Sequence, residues 1–232
     1  MKPFKTVDRQ DLAFFESVMP GRVFSGEAIS SDYTHDEMTI YGHFAPEAVL
    51  QALTAQEISR VLAYCNRQNI AVTPRGAGTG LCGGCVPIDG GIVLSTEKMK
   101  KVIEVDQKNM TATVEPGVLL MEFPKSLEGT GLFYPPDPGE KTATMGGNAM
   151  TNAGGMRAVR YGVTRDYILG MEVVLPTGEI LQLGGKNVKT SSGYSLIDLM
   201  VGSEGTLAFL TQLTVKLVPE PKTNLSLLIP FN

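Results

Sequence analysis

The stretch Pro74-Arg75-Gly76-Ala77-Gly78-Thr79-Gly80-Leu81 is the most informative part of this sequence, because it places three glycines in a loop with almost no side chains. It follows the short apolar run Ile70-Ala71-Val72-Thr73, which is typical of a buried strand. Glycine tolerates positive φ angles and has no Cβ, so the backbone N–H groups of such a loop can approach a phosphate closely. Arg75 and Thr79 add side-chain donors. The sequence therefore predicts a phosphate-binding loop at the end of a strand.

Two further glycine-rich segments lie downstream. One begins with Pro135-Pro136-Asp137-Pro138-Gly139 and continues through Thr144-Met145-Gly146-Gly147-Asn148 and Asn152-Ala153-Gly154-Gly155 to Tyr161-Gly162. The other is Gly202-Ser203-Glu204-Gly205-Thr206-Leu207. Prolines restrict the backbone of the first of these segments, so little entropy is lost when it receives a ligand. Three loops of this kind predict one large phosphorylated ligand.

The loop at residues 74–81 does not match the two commonest phosphate-binding motifs. No Gly-Lys-Ser/Thr follows its glycines, so it is not a P-loop. It also lacks the strand, glycine and helix order with a downstream acidic residue that marks a dinucleotide-binding Rossmann unit. Taken alone, the loop is equally compatible with an ordinary glycine-rich turn.

Together the three segments resemble the FAD-binding domain of the PCMH-type, or vanillyl-alcohol oxidase, flavoprotein superfamily, in the group of the bacterial glycolate oxidase and D-lactate dehydrogenase flavoproteins. The resemblance runs from about Ala45 to the end of the chain. It implies an α+β fold of two subdomains and FAD as the cofactor. The residues that it places at the cofactor are Pro74, Arg75, Gly76, Ala77, Gly78, Thr79, Gly80, Leu81, Pro136, Asp137, Pro138, Gly139, Thr144, Gly146, Gly147, Asn148, Asn152, Gly154, Gly155, Tyr161, Gly162, Glu204, Gly205 and Leu207.

The resemblance gives each segment its own part of FAD. The first loop receives the pyrophosphate. Residues 144–148 meet the phosphates and the ring at the start of a short helix, where exposed N–H groups favour anions. Glu204 accepts a hydrogen bond from a ribose hydroxyl on the adenosine side. Ala208 departs from the family pattern, which has a glycine at the position after Leu207.

The cysteines and histidines do not suggest a metal site or a covalent cofactor. Cys82-Gly83-Gly84-Cys85 provides only half of a tetrahedral zinc site, so we interpret it as loop packing. His35 and His43 share no helical face, and neither is predicted to be catalytic. Some members of the resembled superfamily attach the flavin through a histidine in the first loop. Residues 76–81 contain none, so the FAD is expected to be non-covalent.

Composition excludes several classes of protein. Twenty basic and 24 acidic side chains among 232 residues give a net charge of −4, which argues against a nucleic-acid partner. No apolar run approaches the roughly 20 residues of a transmembrane helix. The polar sequence after Met1-Lys2-Pro3 lacks the apolar core of a secretory signal. A cytoplasmic location is expected, with membrane attachment only through partners.

Local patterns predict the main elements of an α+β fold. Thr54 and Glu57 form a capping box, and the following apolar stripe predicts a helix that ends near Asn69. An alternating pattern predicts a hairpin at 102–106 with 111–115. The turn Pro176-Thr177-Gly178 predicts a second hairpin at 171–175 with 179–183, and later strands are expected at 207–210 and 213–218. We expect a first subdomain with N-terminal helices at residues 1–98, a second at 99–220, and the start of a substrate domain at 221–232.

The resemblance implies the FAD-binding domain of a flavin-dependent 2-hydroxyacid dehydrogenase that acts on D-lactate or glycolate. Its substrate-binding and catalytic groups are expected beyond Asn232, so no catalytic residue is assigned. One alternative is a non-catalytic flavin module that relays electrons, with an electron-transfer flavoprotein or an iron-sulfur subunit as partner. Another is a different oxidoreductase on the same flavin fold, such as an NADPH-dependent cell-wall precursor reductase, against which the proline cluster argues.

Overall fold

The computed structural model describes residues 4–223 and 225–231. Residues 1–3, 224 and 232, which belong to the predicted terminal segments, lie outside the described residues. The helices are α1 (Arg9–Val18), α2 (Ala55–Gln68), α3 (Met145–Met150), α4 (Ala158–Tyr161) and α5 (Leu196–Met200). The strands are β1 (Val23–Ser25), β2 (Ala48–Gln51), β3 (Val72–Arg75), β4 (Ile92–Ser95), β5 (Val102–Asp106), β6 (Thr111–Val114), β7 (Leu132–Phe133), β8 (Ile168–Val174), β9 (Ile180–Gly184), β10 (Phe209–Lys216) and β11 (Val218–Pro219).

The helix α2 forms as its sequence predicts. The Thr54 hydroxyl accepts the Glu57 N–H at 3.2 Å, and the Glu57 carboxylate accepts the Leu53 N–H at 2.8 Å. Asn69 ends the helix in the left-handed conformation, with φ of 56°. The apolar stripe is buried, namely Ile58, Val61, Leu62 and Cys65. Local capping and packing of one face therefore specify this element together.

The first sheet has the strand order β1-β2-β4-β3, and β2, β4 and β3 are parallel. The strand predicted at residues 70–73 begins two residues later and runs through Pro74 and Arg75. A proline is tolerated there because β3 is an edge strand, where one side of the backbone needs no ladder donor. The glycine loop therefore begins after Arg75 rather than at Pro74.

The second sheet is antiparallel, with the order β5-β6-β10-β8-β9. Both predicted hairpins are present. The prediction of separate strands at 207–210 and 213–218 was wrong, because β10 is one continuous strand. Its register against β8 shifts between Leu210 and Gln212, and a bulge of this kind adds a residue without ending the strand.

The two sheets are packed into one body. Each sheet has its own apolar cluster, yet Val174 of β8 and Phe209 of β10 belong to the cluster that lies under the first sheet. The turn between β8 and β9 rests on α2, where the Ser59 hydroxyl donates to the Gly178 carbonyl at 2.5 Å. The loops that leave the two sheets are thus held in fixed positions. The division into residues 1–98, 99–220 and 221–232 stays a prediction.

Replacing Ile58 by Ala should lower the free energy of unfolding by about 2–5 kcal/mol, because it leaves a cavity in the packed core. Ile58 is fully buried on α2. The measurement is urea denaturation followed by circular dichroism. The matched control is Gln56→Ala on the exposed face of the same helix, which should change the stability by no more than about 0.5 kcal/mol. Equal effects of the two substitutions would contradict this account of the α2 interface.

Candidate functional site

A cavity of about 500 Å³ is lined by all three glycine-rich segments. This volume lies in the range of ordinary cofactor sites. The predicted residues on its wall are Pro74, Arg75, Gly76, Ala77, Gly78, Thr79, Gly80, Leu81, Pro138, Gly139, Thr144, Gly146, Gly147, Asn148, Asn152, Gly154, Glu204 and Gly205. Segments that lie more than 120 residues apart in the sequence therefore meet at one site.

The other predicted site residues lie off this wall, and they are Pro136, Asp137, Gly155, Tyr161, Gly162 and Leu207. Asp137 forms ion pairs with Lys141 and Arg157. A Cβ on Gly155 would overlap the Asp137 carbonyl, so that glycine permits close packing of two loops. Leu207 is exposed to solvent. Asp137 and Gly155 thus hold the loops together, and contact of these six residues with a cofactor stays a prediction.

The wall also contains residues that the sequence analysis did not assign to it, namely Cys82, Gly84, Cys85, Thr96, Pro116, Glu140, Ala143, Met150, Thr151, Ala153, Ala208, Phe209 and Leu210. Ala208 directly follows the third glycine-rich segment, so its place in the sequence could have predicted its position on the cavity wall. Thr96 and Pro116 belong to no glycine-rich segment. Only the packing of the two sheets brings them to the cavity.

The first loop exposes a continuous run of backbone donors. None of the N–H groups of residues 76–82 donates to a protein acceptor in the described part of the chain. Gly83 ends this run, because its N–H donates to the buried Asp36 carboxylate at 2.8 Å. These residues are partly or fully exposed on the cavity wall, so their N–H groups are free to donate to an anionic ligand.

The start of α3 differs from the expectation of exposed N–H groups. The Gly147 N–H donates to the Thr144 hydroxyl at 3.0 Å, and the Gly146 N–H donates to the Pro116 carbonyl at 2.8 Å. Met145 and Asn148 N–H groups are also paired, with Val118 and Thr144 carbonyls. The prediction of free helix-terminal donors was therefore wrong, because the helix entrance is capped by the protein itself.

A side-chain donor remains at this helix. Asn148 is 4% exposed, and its Nδ2 has no hydrogen-bond partner among the described residues. A buried amide without a partner costs about 1–3 kcal/mol, so such groups are rare in folded proteins. Because Asn148 lies on the cavity wall, a ligand oxygen would satisfy this donor.

The glycines at the site are of two kinds. Some permit contact between segments: a Cβ on Gly76 would lie 2.6 Å from the Thr144 hydroxyl, and one on Gly205 would overlap the Pro74 ring. Others leave space in the cavity. Gly80 and Gly139 have no atom closer than 4.0 Å to a built Cβ. Some glycines thus allow two segments of the wall to pack closely, and others leave open space that a ligand can occupy.

Glu204 is held in an uncommon backbone conformation. Its φ of 53° lies in the left-handed region, and its N–H donates to the Met150 carbonyl at 2.8 Å. Non-glycine residues with such φ angles are often found at functional sites. The side chain packs against Gly84, where a Cβ would overlap the carboxylate. This conformation places a carboxylate on the cavity wall.

The cysteines differ in burial. Cys82 is exposed, whereas burial raises the pKa of Cys85 and raises that of Cys65 to about 12. His35 and His43 lie close together, with ring centroids 4.5 Å apart, and each Nδ1 contacts the Thr34 hydroxyl. Their separation in sequence did not reveal this pair. Across residues 4–223 and 225–231, no group of three or more His, Cys, Asp or Glu side chains could hold a metal.

The comparisons with known proteins agree with this geometry. The sequence profile of the family named FAD binding domain matches residues 46–184. A D-lactate dehydrogenase of Anaerostipes hadrus is 54% identical over 94% of this chain and 46% of its own length. The glycolate oxidase subunit GlcD of Bacillus subtilis is 48% identical over 84% of this chain and 42% of its own length. The chain spans about half the length of the curated relatives that it matches.

Solved structures show the same fold at low sequence identity. An alkyldihydroxyacetonephosphate synthase has a TM-score of 0.82 with 23% identity, over 96% of this chain and 42% of its own. A p-cresol methylhydroxylase has a TM-score of 0.83 with 22% identity, over 95% of this chain and 46% of its own. This chain is an FAD-binding domain of the PCMH type and belongs to the FAD binding domain family. The predicted α+β fold and the FAD cofactor are confirmed.

Among the helices that the structure describes, none is both long and apolar enough to cross a membrane.

Iodoacetamide at pH 8 should modify Cys82 before the other two cysteines. Cys82 is exposed, while the pKa of Cys65 is raised to about 12, so almost no Cys65 thiolate exists at that pH. Peptide mass spectrometry over a time course measures the order of labelling. Denaturant should make all three thiols react. Labelling of Cys65 as fast as Cys82 in the folded protein would contradict the packing of α2.

Proposed function

We propose that this chain is the flavin-binding part of a 2-hydroxyacid dehydrogenase of the D-lactate or glycolate class. The observation that carries the cofactor assignment is the run of unpaired N–H groups at residues 76–82 on the cavity wall. These donors suit the pyrophosphate that links the two halves of FAD. The unpaired amide of Asn148 is a second donor that a ligand oxygen would satisfy.

The names of the relatives support a 2-hydroxy acid as the substrate class. They include D-lactate dehydrogenase and a glycolate oxidase subunit. A D-2-hydroxyglutarate dehydrogenase of Danio rerio is also 37% identical over 95% of this chain and 41% of its own length. D-lactate, glycolate and D-2-hydroxyglutarate all have a hydroxyl next to a carboxylate. The shared chemistry is oxidation of that hydroxyl carbon.

The residues of this chain bind and orient the cofactor in this proposal. The loop at 76–82 donates to phosphate oxygens, Asn148 donates to a second ligand oxygen, and Glu204 accepts from a ribose hydroxyl. Gly80 and Gly139 leave the space that the ligand occupies, and Gly147 lies on the same wall. FAD, when bound, supplies the acceptor for the substrate hydride. The onward partner is proposed to be an electron-transfer flavoprotein or an iron-sulfur subunit.

Substrate activation is assigned to a part of the protein outside residues 1–232. Within the described residues, the cavity wall has carboxylates at Glu140 and Glu204, and it has no histidine, lysine or tyrosine. A dehydrogenase needs a group that removes the hydroxyl proton and groups that hold the substrate carboxylate. The relatives are about twice as long as this chain. Their additional length is where we expect those groups.

The neighbouring glycines 146 and 147 should respond differently to substitution. A Cβ on Gly146 would lie 2.5 Å from the Pro116 Cβ, so Gly146→Ala should destabilise the fold by about 1–3 kcal/mol. At Gly147 the one atom within 4 Å is the Thr144 hydroxyl at 3.0 Å, so Gly147→Val should destabilise the fold less than a clash with backbone does. Because Gly147 lies on the cavity wall, its larger side chain should abolish measurable FAD binding. Thermal unfolding and quenching of flavin fluorescence measure the two effects.

Thr79→Ala is the mild control for these variants. It removes one hydroxyl from the wall and leaves the backbone donors, so FAD affinity should fall about three- to tenfold.

Wild-type protein should bind FAD more tightly than FMN, because FMN lacks the adenosine that Glu204 is proposed to contact. Normal FAD binding by Gly147→Val would mean that this part of α3 is structural and would remove it from the site.

The FAD-loaded chain of 232 residues should not oxidise D-lactate or glycolate at a useful rate. Orientation of the substrate can contribute about 7–11 kcal/mol to catalysis, and we expect the groups that would provide it outside residues 1–232. The assay is dye reduction by this chain beside a longer protein that includes the second half present in the relatives. The longer protein should turn over at least one 2-hydroxy acid. Comparable turnover by residues 1–232 would contradict this division of roles.

A further inference from the structure

Arg75 is a buried cation whose hydrogen bonds go to neutral protein groups. Its side chain lies at the end of β3, and the residue is 7% exposed. Nη1 donates to the His35 carbonyl at 2.7 Å and to the Cys85 sulfur at 3.3 Å, and Nη2 donates to the Asp32 carbonyl at 2.6 Å. The guanidinium also lies 5.5 Å from the centroid of the Tyr33 ring. These contacts fix its position behind the glycine loop.

No carboxylate lies within 4.0 Å of this guanidinium in the part of the chain that the structure describes, although the buried Asp36 carboxylate lies beside the same loop. None of the ion pairs within 4.0 Å includes Arg75. The guanidinium has five N–H donors, and the three hydrogen bonds leave two of them without a protein acceptor. Arginine is seldom buried without an anionic partner, because desolvation of the charge is costly. The charge of Arg75 is therefore not paired with a carboxylate by direct contact, and two of its N–H donors remain for another acceptor.

The position of Arg75 suits an anion in the cavity. The residue lines the cavity wall. A Cβ on Gly78 would overlap Nη2, so the loop backbone lies directly against the guanidinium. The N–H groups of residues 76–82 are unpaired on the same loop. The nearby Asp36 is engaged by the N–H groups of Met38 and Gly83, at 2.9 and 2.8 Å.

We propose that Arg75 determines specificity for phosphorylated flavins, by placing a permanent positive charge behind the loop that receives the phosphates. The inference rests on the proposed function, in which this cavity binds FAD. Arg75 acts through its charge and through the loop that it fixes. It is a positioning residue, and its role differs from that of the phosphate donor expected from the sequence. Riboflavin, which has no phosphate, should be insensitive to this charge.

The test compares FAD with riboflavin in three variants of the same protein. Arg75→Met removes the charge and retains an apolar stem, and Arg75→Lys keeps a charge that can titrate. Arg60→Met is the matched control, because Arg60 is exposed on α2. Dissociation constants are measured by flavin fluorescence from pH 6.5 to 9.5. Ratios to wild type remove the shared titration of the groups around the loop. These groups are Asp32, Tyr33, His35, Asp36, Tyr41, His43, Cys82, Cys85 and Glu204.

Arg75→Met should reduce the preference for FAD over riboflavin by about tenfold or more, the size expected of a charge pair several ångströms apart at a partly buried site. Its riboflavin affinity should stay within about threefold of wild type, because riboflavin has no phosphate for the charge and the loop to receive. Arg60→Met should leave both affinities unchanged.

The pH profile of Arg75→Lys provides the second measurement, and it applies even if Arg75→Met does not fold. Burial lowers the pKa of a lysine, whereas arginine stays charged throughout this range. FAD affinity of Arg75→Lys should fall relative to wild type as the pH rises, and its riboflavin affinity should not. A parallel loss for both flavins, or no dependence on pH, would overturn the specificity role. A wild-type protein without preference for FAD over riboflavin would instead refute the proposed function.

Discussion

The site depends on close contact between loops that have no side chains at the contact points. Gly205 of the third segment packs on Pro74 of the first, and Gly76 of the first packs on Thr144 of the second. A single methyl group at either glycine would meet atoms of the other segment at less than normal contact distance. The cavity exists because these contacts bring the three segments together. Other glycines, Gly80 and Gly139, leave the open space in the cavity.

The hydrogen-bond donors of the site are of two kinds, those paired within the protein and those left for a ligand. The first turn of α3 is fully paired with protein acceptors, while the loop at 76–82 and the Asn148 amide have none among the described residues. Arg75 adds a fixed charge behind the loop. Unpaired donors in a rigid wall need no rearrangement when an anion arrives. Such preorganisation favours binding because its entropic cost is already met during folding.

The fold supplies the rigidity that this arrangement requires. Val174 and Phe209 come from the antiparallel sheet but pack in the core beneath the parallel one. The turn at Gly178 rests on α2 through the Ser59 hydroxyl. Because interiors pack densely, a shift of one sheet would disturb the shared core. The loops that leave both sheets are therefore held in one relative position, which the contacts of Gly76 and Gly205 require.

Local sequence determined the elements and the chemical type of the site. The cap at Thr54 with its apolar stripe specified α2, and an alternating run and a Pro-Thr-Gly turn specified the two hairpins. The glycine-rich segments indicated a large phosphorylated ligand, which their resemblance to a known family identified as FAD. Tertiary contacts decided the rest. They determine that Arg75 donates to carbonyls 40 and 43 residues away. They also determine that the N–H groups at the start of α3 donate to protein oxygens and are not free for a ligand oxygen. They also make β10 a single bulged strand. A local pattern reports the preferences of neighbouring residues, whereas the partner of a buried donor depends on which distant segment packs against it.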